Sequence, residues 1–278
     1  MPSRALTRST GQQVFFEKLS PQIRAEFLGA CDSLYYLRPR AGFDPETGEE
    51  IETEESGLIP FRLWPEQRRT AQVMLDQQRR RLPVRVVKVK PRQSGDSSFG
   101  EVWQFHQVYW GRQEHGITVA HSDQTTASLH AMTKTLYNEL PPELRLPHER
   151  KNKQELAFAD PYGNSIIAQT AGNIDLGHGL TLRHAHLSEL PLWLNPEKAL
   201  EGLLEAIAVS AGTSIYMEAK AQESGDWFHT FWKNSKLGLT GFTPLFTPWY
   251  LVPEYRAPLP DGFEATEEEQ EWMAEFAI

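Results

Sequence analysis

The chain has 278 residues, 40% of them hydrophobic, 11% aromatic and 23% charged, with a formal net charge of −9. That is ample material for a buried core and excludes wholesale disorder, and the length suits one large α/β domain, or a domain with a satellite, better than two equal domains. A single cysteine, Cys31, excludes an intramolecular disulfide and a thiolate metal cage. It points to a reducing compartment, with the cytoplasm as the default. Neither a run of eighteen apolar residues nor an apolar leader after MPSRALTRSTGQQ is present, so no membrane insertion or export is expected.

In chain order, residues 12–38 read as helical, with Phe15, Phe16, Leu19, Ile23, Phe27 and Leu28 near helical spacing and Ser20-Pro21 as N-cap and first helical position. Residues 39–60, rich in Pro, Gly and acids, read as a loop or hairpin leading to the main body. Helices are predicted from Trp64-Pro65 to about Arg81, from Ser97 to Gly111, and over 123–139, 196–208 and 225–235. Strands are predicted at 84–90 (VRVVKVK), 117–120, 155–158, 165–169, 182–188, 214–218 and 242–247. This alternation predicts a mostly parallel sheet covered by helices on both faces. The expected organisation is a helical lobe with an acidic linker over 1–58, a main domain over 59–256 and an acidic linker over 257–278. After Arg256 no Lys or Arg remains, and the seven acids from Asp261 to Glu275 account for most of the net charge; without them 30 acids face 28 bases. Locally positive surfaces therefore survive a negative global field.

Residues 84–111 have the layout of a phosphate-binding loop: strand, turn, helix N-terminus. Against GxxxxGK[ST], the frame ending in Gly95-Asp96-Ser97 keeps the second glycine and the hydroxyl, but has Lys90 at the first glycine and Asp96 at the lysine. Gly95 permits close backbone approach to phosphate, and Ser97 is suited to ligate Mg²⁺. The missing cation has to come from Lys88, Lys90 or Arg92 just upstream. Arg92 is the first choice through its planar fork and Lys90 the second. The competing reading is that these bases decorate an exposed strand end.

KPRQSGDSS, then HLSELPLW at 186–193, then SIYMEAKAQES with GDWFHTFW at 225–232, then FTPLFTPWYLVPEYR at 242–256, together resemble the ATPase domain of the large terminase subunit of tailed phages. The resemblance spans about 60–256. It implies a P-loop NTPase (RecA-like) fold with a small N-terminal helical lobe. It also implies ATP and Mg²⁺ as cofactors, bound by Lys90, Arg92, Gln93, Ser94, Gly95, Asp96, Ser97 and Ser98, with Gln67 as the adenine-site glutamine. A motor of this kind acts on double-stranded DNA, on a portal protein and with a small terminase subunit, as a homo-oligomeric ring in the host cytoplasm, without a membrane. The family's nuclease domain would begin where this chain ends, so no DNA cutting is expected of it.

Hydrolysis needs a carboxylate near the attacking water. Glu189, at the end of the 182–188 strand, is that candidate, with Arg92 as its catalytic cation. The acid that usually precedes it is Ser188 here, which leaves the metal to Ser97 and Ser188. Glu218 and Gln222 are the coupling candidates, in a segment that departs from the family's run of small and hydroxyl residues. Arg145 and Arg150 are candidates for an arginine finger reaching a neighbouring subunit. Trp64 or Phe61 is placed to stack on a base, against an anchoring role in the core. His184 and His186 share one strand face and suggest a metal pair, but no third ligand has recognisable spacing, which favours hydrogen-bonded core histidines. Three functions compete: a DNA-packaging ATPase motor, a helicase-like DNA-stimulated ATPase, and a degenerate nucleotide-binding or assembly module that has lost turnover.

Overall fold

A computed structural model describes residues 10–37, 57–172, 181–252, 255 and 262–276. The elements run α1 (Thr10–Ala25), α2 (Phe27–Ser33), β1 (Tyr36–Leu37), β2 (Ile59–Pro60), α3 (Pro65–Arg79), β3 (Val84–Val89), α4 (Asp96–Tyr109), β4 (His115–Ala120) and α5 (Asp123–Glu139). They continue through β5 (His148–Lys151), β6 (Glu155–Phe158), β7 (Ser165–Thr170), β8 (His184–Ser188), α6 (Pro196–Ala206), β9 (Ser214–Ala219), α7 (Trp227–Lys236), β10 (Thr243–Phe246) and α8 (Glu267–Phe276). The main sheet has eight strands in the order β10-β3-β9-β8-β4-β7-β6-β5. From β10 to β7 all pairs are parallel; β6 and β5 extend the sheet antiparallel. The mostly parallel α/β architecture expected from the sequence is therefore present.

Apolar side chains leave both faces of this sheet, as a parallel sheet covered on both sides requires. Val84, Val86, Ile166 and Tyr216 join one core with α1 to α5, and Val87, Ile117, Leu187, Ile215 and Met217 join another with α6 and α7. Helix α4 is buried continuously from Phe99 to Tyr109, because α1 and α2 cover the side turned away from the sheet. Phe27 packs edge-to-face on Trp103 with centroids 4.9 Å apart, and Tyr35 bonds His106 Nδ1 at 2.7 Å and accepts from Trp110 Nε1 at 2.9 Å. Its buried position makes α4 a rigid support for whatever its N-terminus holds.

Three local expectations are corrected. The single helix over 12–38 is broken at Glu26, and Pro21 lies inside α1 rather than at a helix start; lacking an N–H, it removes one backbone bond a turn before α1 ends. The strand β5 is absent from the strands expected from the sequence, since all four of its side chains are exposed; a charged edge strand has no alternating pattern to betray it. The acidic stretch read as a linker contains α8, begun by Thr266 and Glu269 in a reciprocal capping box and by acids that complement the helix dipole. Most of the expected 39–60 loop, the opening of the strand segment at 177–189, and Arg256 lie outside the described residues. Among the described residues no helix is long and apolar enough to cross a membrane, and Cys31 is buried with its thiol pKa pushed up by burial.

Candidate active site

In an open parallel sheet, ligands meet the loops at the carboxyl ends of the strands. Here β9 lies between β3, which feeds the turn at 90–95, and β8, which ends at Ser188. Ser188 and Glu218 are register partners on β8 and β9. The fold thus brings the turn, Glu189 and Glu218 together from segments about thirty to a hundred and thirty residues apart in sequence.

The turn is built around two left-handed residues, Gln93 (φ 59°) and Gly95 (φ 68°). Left-handed residues in a tight turn direct successive backbone N–H groups into one concavity, which favours anions, and Gly95 delivers it to the N-terminus of α4. Gly95 is required twice: for its φ, and because a Cβ there would lie 2.4 Å from Gln67 Nε2. Gln67 is buried, its Nε2 donating to Gly95 O at 2.9 Å and its Oε1 accepting from Trp64 N at 3.0 Å. Its amide therefore ties the start of α3 to the turn. Trp64 caps α3 and Phe61 packs against the core.

Asp96, at the position of the motif lysine, has its side chain in the interior, 1% exposed. Lys88 Nζ donates to its Oδ1 at 2.6 Å, Tyr216 Oη to the same atom at 3.0 Å, and Ser94 Oγ to Oδ2 at 2.7 Å. Lys88 also donates to Thr70 Oγ1 at 3.0 Å. Lys88 is thus no decoration of a strand end: its charge is spent on Asp96, and the pair braces the turn from beneath.

Lys90 is the cation inside the site. Its Nζ lies 3.1 Å from Glu189 Oε1 and 3.0 Å from Glu218 Oε2. Burial opposes its charge, but Glu218 and Glu189 outweigh burial and push its pKa above the ordinary lysine range. Arg92 is exposed at the turn, its guanidinium unpaired among the described residues and its carbonyl accepting from Tyr255 Oη at 2.7 Å. Gln93 is exposed, Ser94 buried, and Ser97 and Ser98 half-buried on the first turn of α4.

Glu189 adopts a left-handed backbone (φ 57°), a conformation costing a non-glycine residue about 1 kcal/mol or more and held only where the surroundings impose it. Its N–H donates to Glu218 O at 2.9 Å, and Lys220 N–H approaches its Oε2 at 3.4 Å. The segment after β9 thus touches the carboxylate directly. Gln222, beyond it, is exposed.

Glu218 is fully buried. Burial alone would raise its pKa, but Lys90, with His186 and the Ser188 hydroxyl, brings it down to about 2. Ser97 Oγ donates to its Oε1 at 2.9 Å, and His186 Nε2 stands 3.5 Å from the same oxygen. Behind it, His186 Nδ1 meets Glu101 Oε1 at 2.8 Å, and Thr118 and Thr133 hydroxyls hold Glu101. The signal for this network was a glycine inside a helix: a Cβ at Gly100 would lie 2.3 Å from His186 Nε2. His184 goes instead to Ser214 and Glu114, so the two histidines act as hydrogen-bonded core residues, and no three His, Cys, Asp or Glu form a metal cage among the described residues.

The remaining candidates lie elsewhere. Arg145 Nε donates to Leu140 O at 2.6 Å, and Arg150 pairs with Glu155 at 2.8 Å on β5. Six strand spacings separate β5 from β3, roughly 29 Å at about 4.8 Å each, so Arg150 is not brought to the site within one chain.

The buried histidines set a pH dependence of stability. Burial opposes the charge on His186, but Glu101 and Glu218 outweigh it and push its pKa up to about 9 from 6.5. Its contribution is complete below pH 6.5 and is lost as pH rises through about 9. Burial lowers His106 to about 4, so its contribution is present above pH 6.5 and is lost as pH falls through about 4. Urea unfolding of the wild type is expected to show both limbs, and His186→Gln to flatten the alkaline one alone; an unaltered alkaline limb in that variant would refute the assignment.

No protein-family model and no curated protein matches the chain. Among solved structures, the large terminase of bacteriophage HK97 matches with a TM-score of 0.62 at 14% identity, over 91% of this chain and 51% of that one. The ATPase domain of the large terminase of Thermus phage P74-26 matches with a TM-score of 0.45 at 14% identity, over 69% of this chain and 81% of that one. A DEAD box protein from the hyperthermophile Methanococcus jannaschii matches with a TM-score of 0.43 at 14% identity, over 64% and 48%. The resemblance to phage large terminases read from the sequence thus holds at the level of the fold, and the chain spans about half the length of the HK97 protein.

Proposed function

We propose that the chain is the ATPase motor of a phage large terminase, hydrolysing ATP to drive double-stranded DNA into a procapsid. The observation that carries this reading is Lys90, an ammonium between Glu189 and Glu218 at the mouth of a left-handed turn on a helix N-terminus. That is a phosphate cradle with its cation moved upstream of the turn. Backbone N–H groups of residues 93–98 receive the triphosphate, and Lys90 exchanges its two carboxylates for phosphate oxygens. Mg²⁺, when bound, neutralises charge on the phosphates; Ser97 and the carboxylates beside it supply oxygen ligands of the type that ion takes. Glu189, relieved of Lys90, accepts a proton from the attacking water as its oxygen bonds the γ-phosphorus and the bond to the β,γ-bridging oxygen breaks, releasing ADP.

Its neighbours on β9 carry the change outward: Lys220 N–H contacts Glu189, so loss of the γ-phosphate is felt at Glu218 to Gln222. Arg92 at the tip contacts phosphate from outside or DNA, and Arg145 and Arg150 serve a neighbouring subunit in a ring. Portal protein, small terminase subunit and the host cytoplasm follow from this reading. The alternative of a module without turnover is favoured by Asp96 and Ser188, which replace two residues such sites ordinarily use.

Phosphate release by the purified chain separates these. A motor hydrolyses ATP faster with linear double-stranded DNA, and the stimulation fades between 50 and 200 mM salt, on the order of the range over which phosphate contacts weaken. Stimulation by single strands alone would favour the helicase-like reading, and no ATP turnover under any condition would leave the inactive module.

A further inference from the structure

Resting on the nucleotide-site reading above, we propose that Glu218 on β9, with the Ser97 hydroxyl, is the carboxylate that faces the divalent cation, replacing the acid absent at Ser188. Ser188 and Glu218 are register partners on adjacent strands, both buried. The longer side chain from the next strand therefore reaches the place a shorter acid on β8 would occupy. Ser97 Oγ and Glu218 Oε1 are 2.9 Å apart; adjacent oxygens on an octahedral Mg²⁺ with bonds of about 2.1 Å are roughly 3.0 Å apart. Glu218 Oε2, fully buried, lies 3.0 Å from the Lys90 ammonium and accepts no hydrogen bond among the described residues. A buried anionic oxygen facing an ammonium is open to a dication once that ammonium turns to phosphate.

The other acids are committed. Asp96, next to Ser97 in sequence, is held by Lys88, Ser94 and Tyr216, and Glu101 by Thr118, Thr133 and His186. Glu189 follows the strand end in its left-handed conformation, half-buried, and is left for water. His186, admitted by Gly100, backs the carboxylate from the core side. With no cage of three protein ligands among the described residues, the cation enters with the nucleotide, as Mg²⁺ does where phosphates complete its shell.

Mn²⁺ titration followed by electron paramagnetic resonance, with and without a non-hydrolysable ATP analogue, tests this. The full chain is expected to bind Mn²⁺ at the site only with nucleotide. Glu218→Gln is expected to weaken that binding at least tenfold while nucleotide still binds in EDTA, and adding Ser188→Asp to it should recover the loss. Glu218→Asp keeps the charge beside Lys90 and serves if the amide variant does not fold; its shortened side chain should weaken Mn²⁺ binding as well. Unchanged Mn²⁺ affinity in these variants overturns the assignment. Failure of the wild type to bind nucleotide in EDTA overturns the nucleotide-site reading itself, and this inference with it.

Discussion

Glu189→Gln is expected to lower ATP hydrolysis at least about 100-fold while leaving the fold and nucleotide binding in place, since removing a general base typically costs 10²–10⁴ in rate. The side chain lies at the crevice, half-buried, with one oxygen on Lys90 and the other near Lys220 N–H. An amide keeps the size and one acceptor but cannot take the proton of water. Steady-state phosphate release beside nucleotide binding measures the split: turnover lost with affinity retained supports the role, and equal turnover in wild type and variant removes Glu189 from the chemistry.

The second large effect concerns a substitution that looks like a repair. Asp96→Lys restores the ordinary motif on paper, yet it is expected to destabilise the protein by about 3–5 kcal/mol, the usual cost of leaving a buried charge without its partner. Lys88 and Asp96 are each 1% exposed, and Asp96 also accepts from Tyr216 and Ser94; a second ammonium there meets the first with no carboxylate between them. At about 2–4 °C per kcal/mol for a domain of this size, the melting temperature should fall by roughly 6–20 °C. Lys88→Met combined with Asp96→Asn removes both charges and keeps an acceptor for Tyr216, so most of the loss should return. A stable Asp96→Lys protein with faster ATP turnover would mean that residue 96 faces the nucleotide and that Lys90 does not replace it.

The alternation of helices and strands was legible because β4 and β9 hold short apolar runs and β3 a β-branched one interrupted by bases, each bounded by turn residues, and such a pattern survives without any tertiary knowledge. The turn was legible through Gly95 and its neighbours. The partners of its charges were not. Lys88, Lys90 and Arg92 look equivalent along the chain, but one is buried under the turn, one lies between two carboxylates and one is exposed. Which is which depends on what β8 and β9 place opposite them, a long-range fact. Gln67 carried a similar ambiguity: an amide suited to a base edge is equally suited to a backbone carbonyl, and here it holds Gly95. Gly100 was the one local clue to the His186 and Glu101 network, since a glycine inside a helix costs about 1 kcal/mol against alanine and needs a packing reason.

A structure of the chain with a non-hydrolysable ATP analogue tests the central claim most directly. The account predicts the triphosphate against the backbone N–H groups of residues 93–98, with Lys90 Nζ withdrawn from Glu189 and bonded to phosphate. Nucleotide bound away from this turn, with Lys90 still between Glu189 and Glu218, would contradict it.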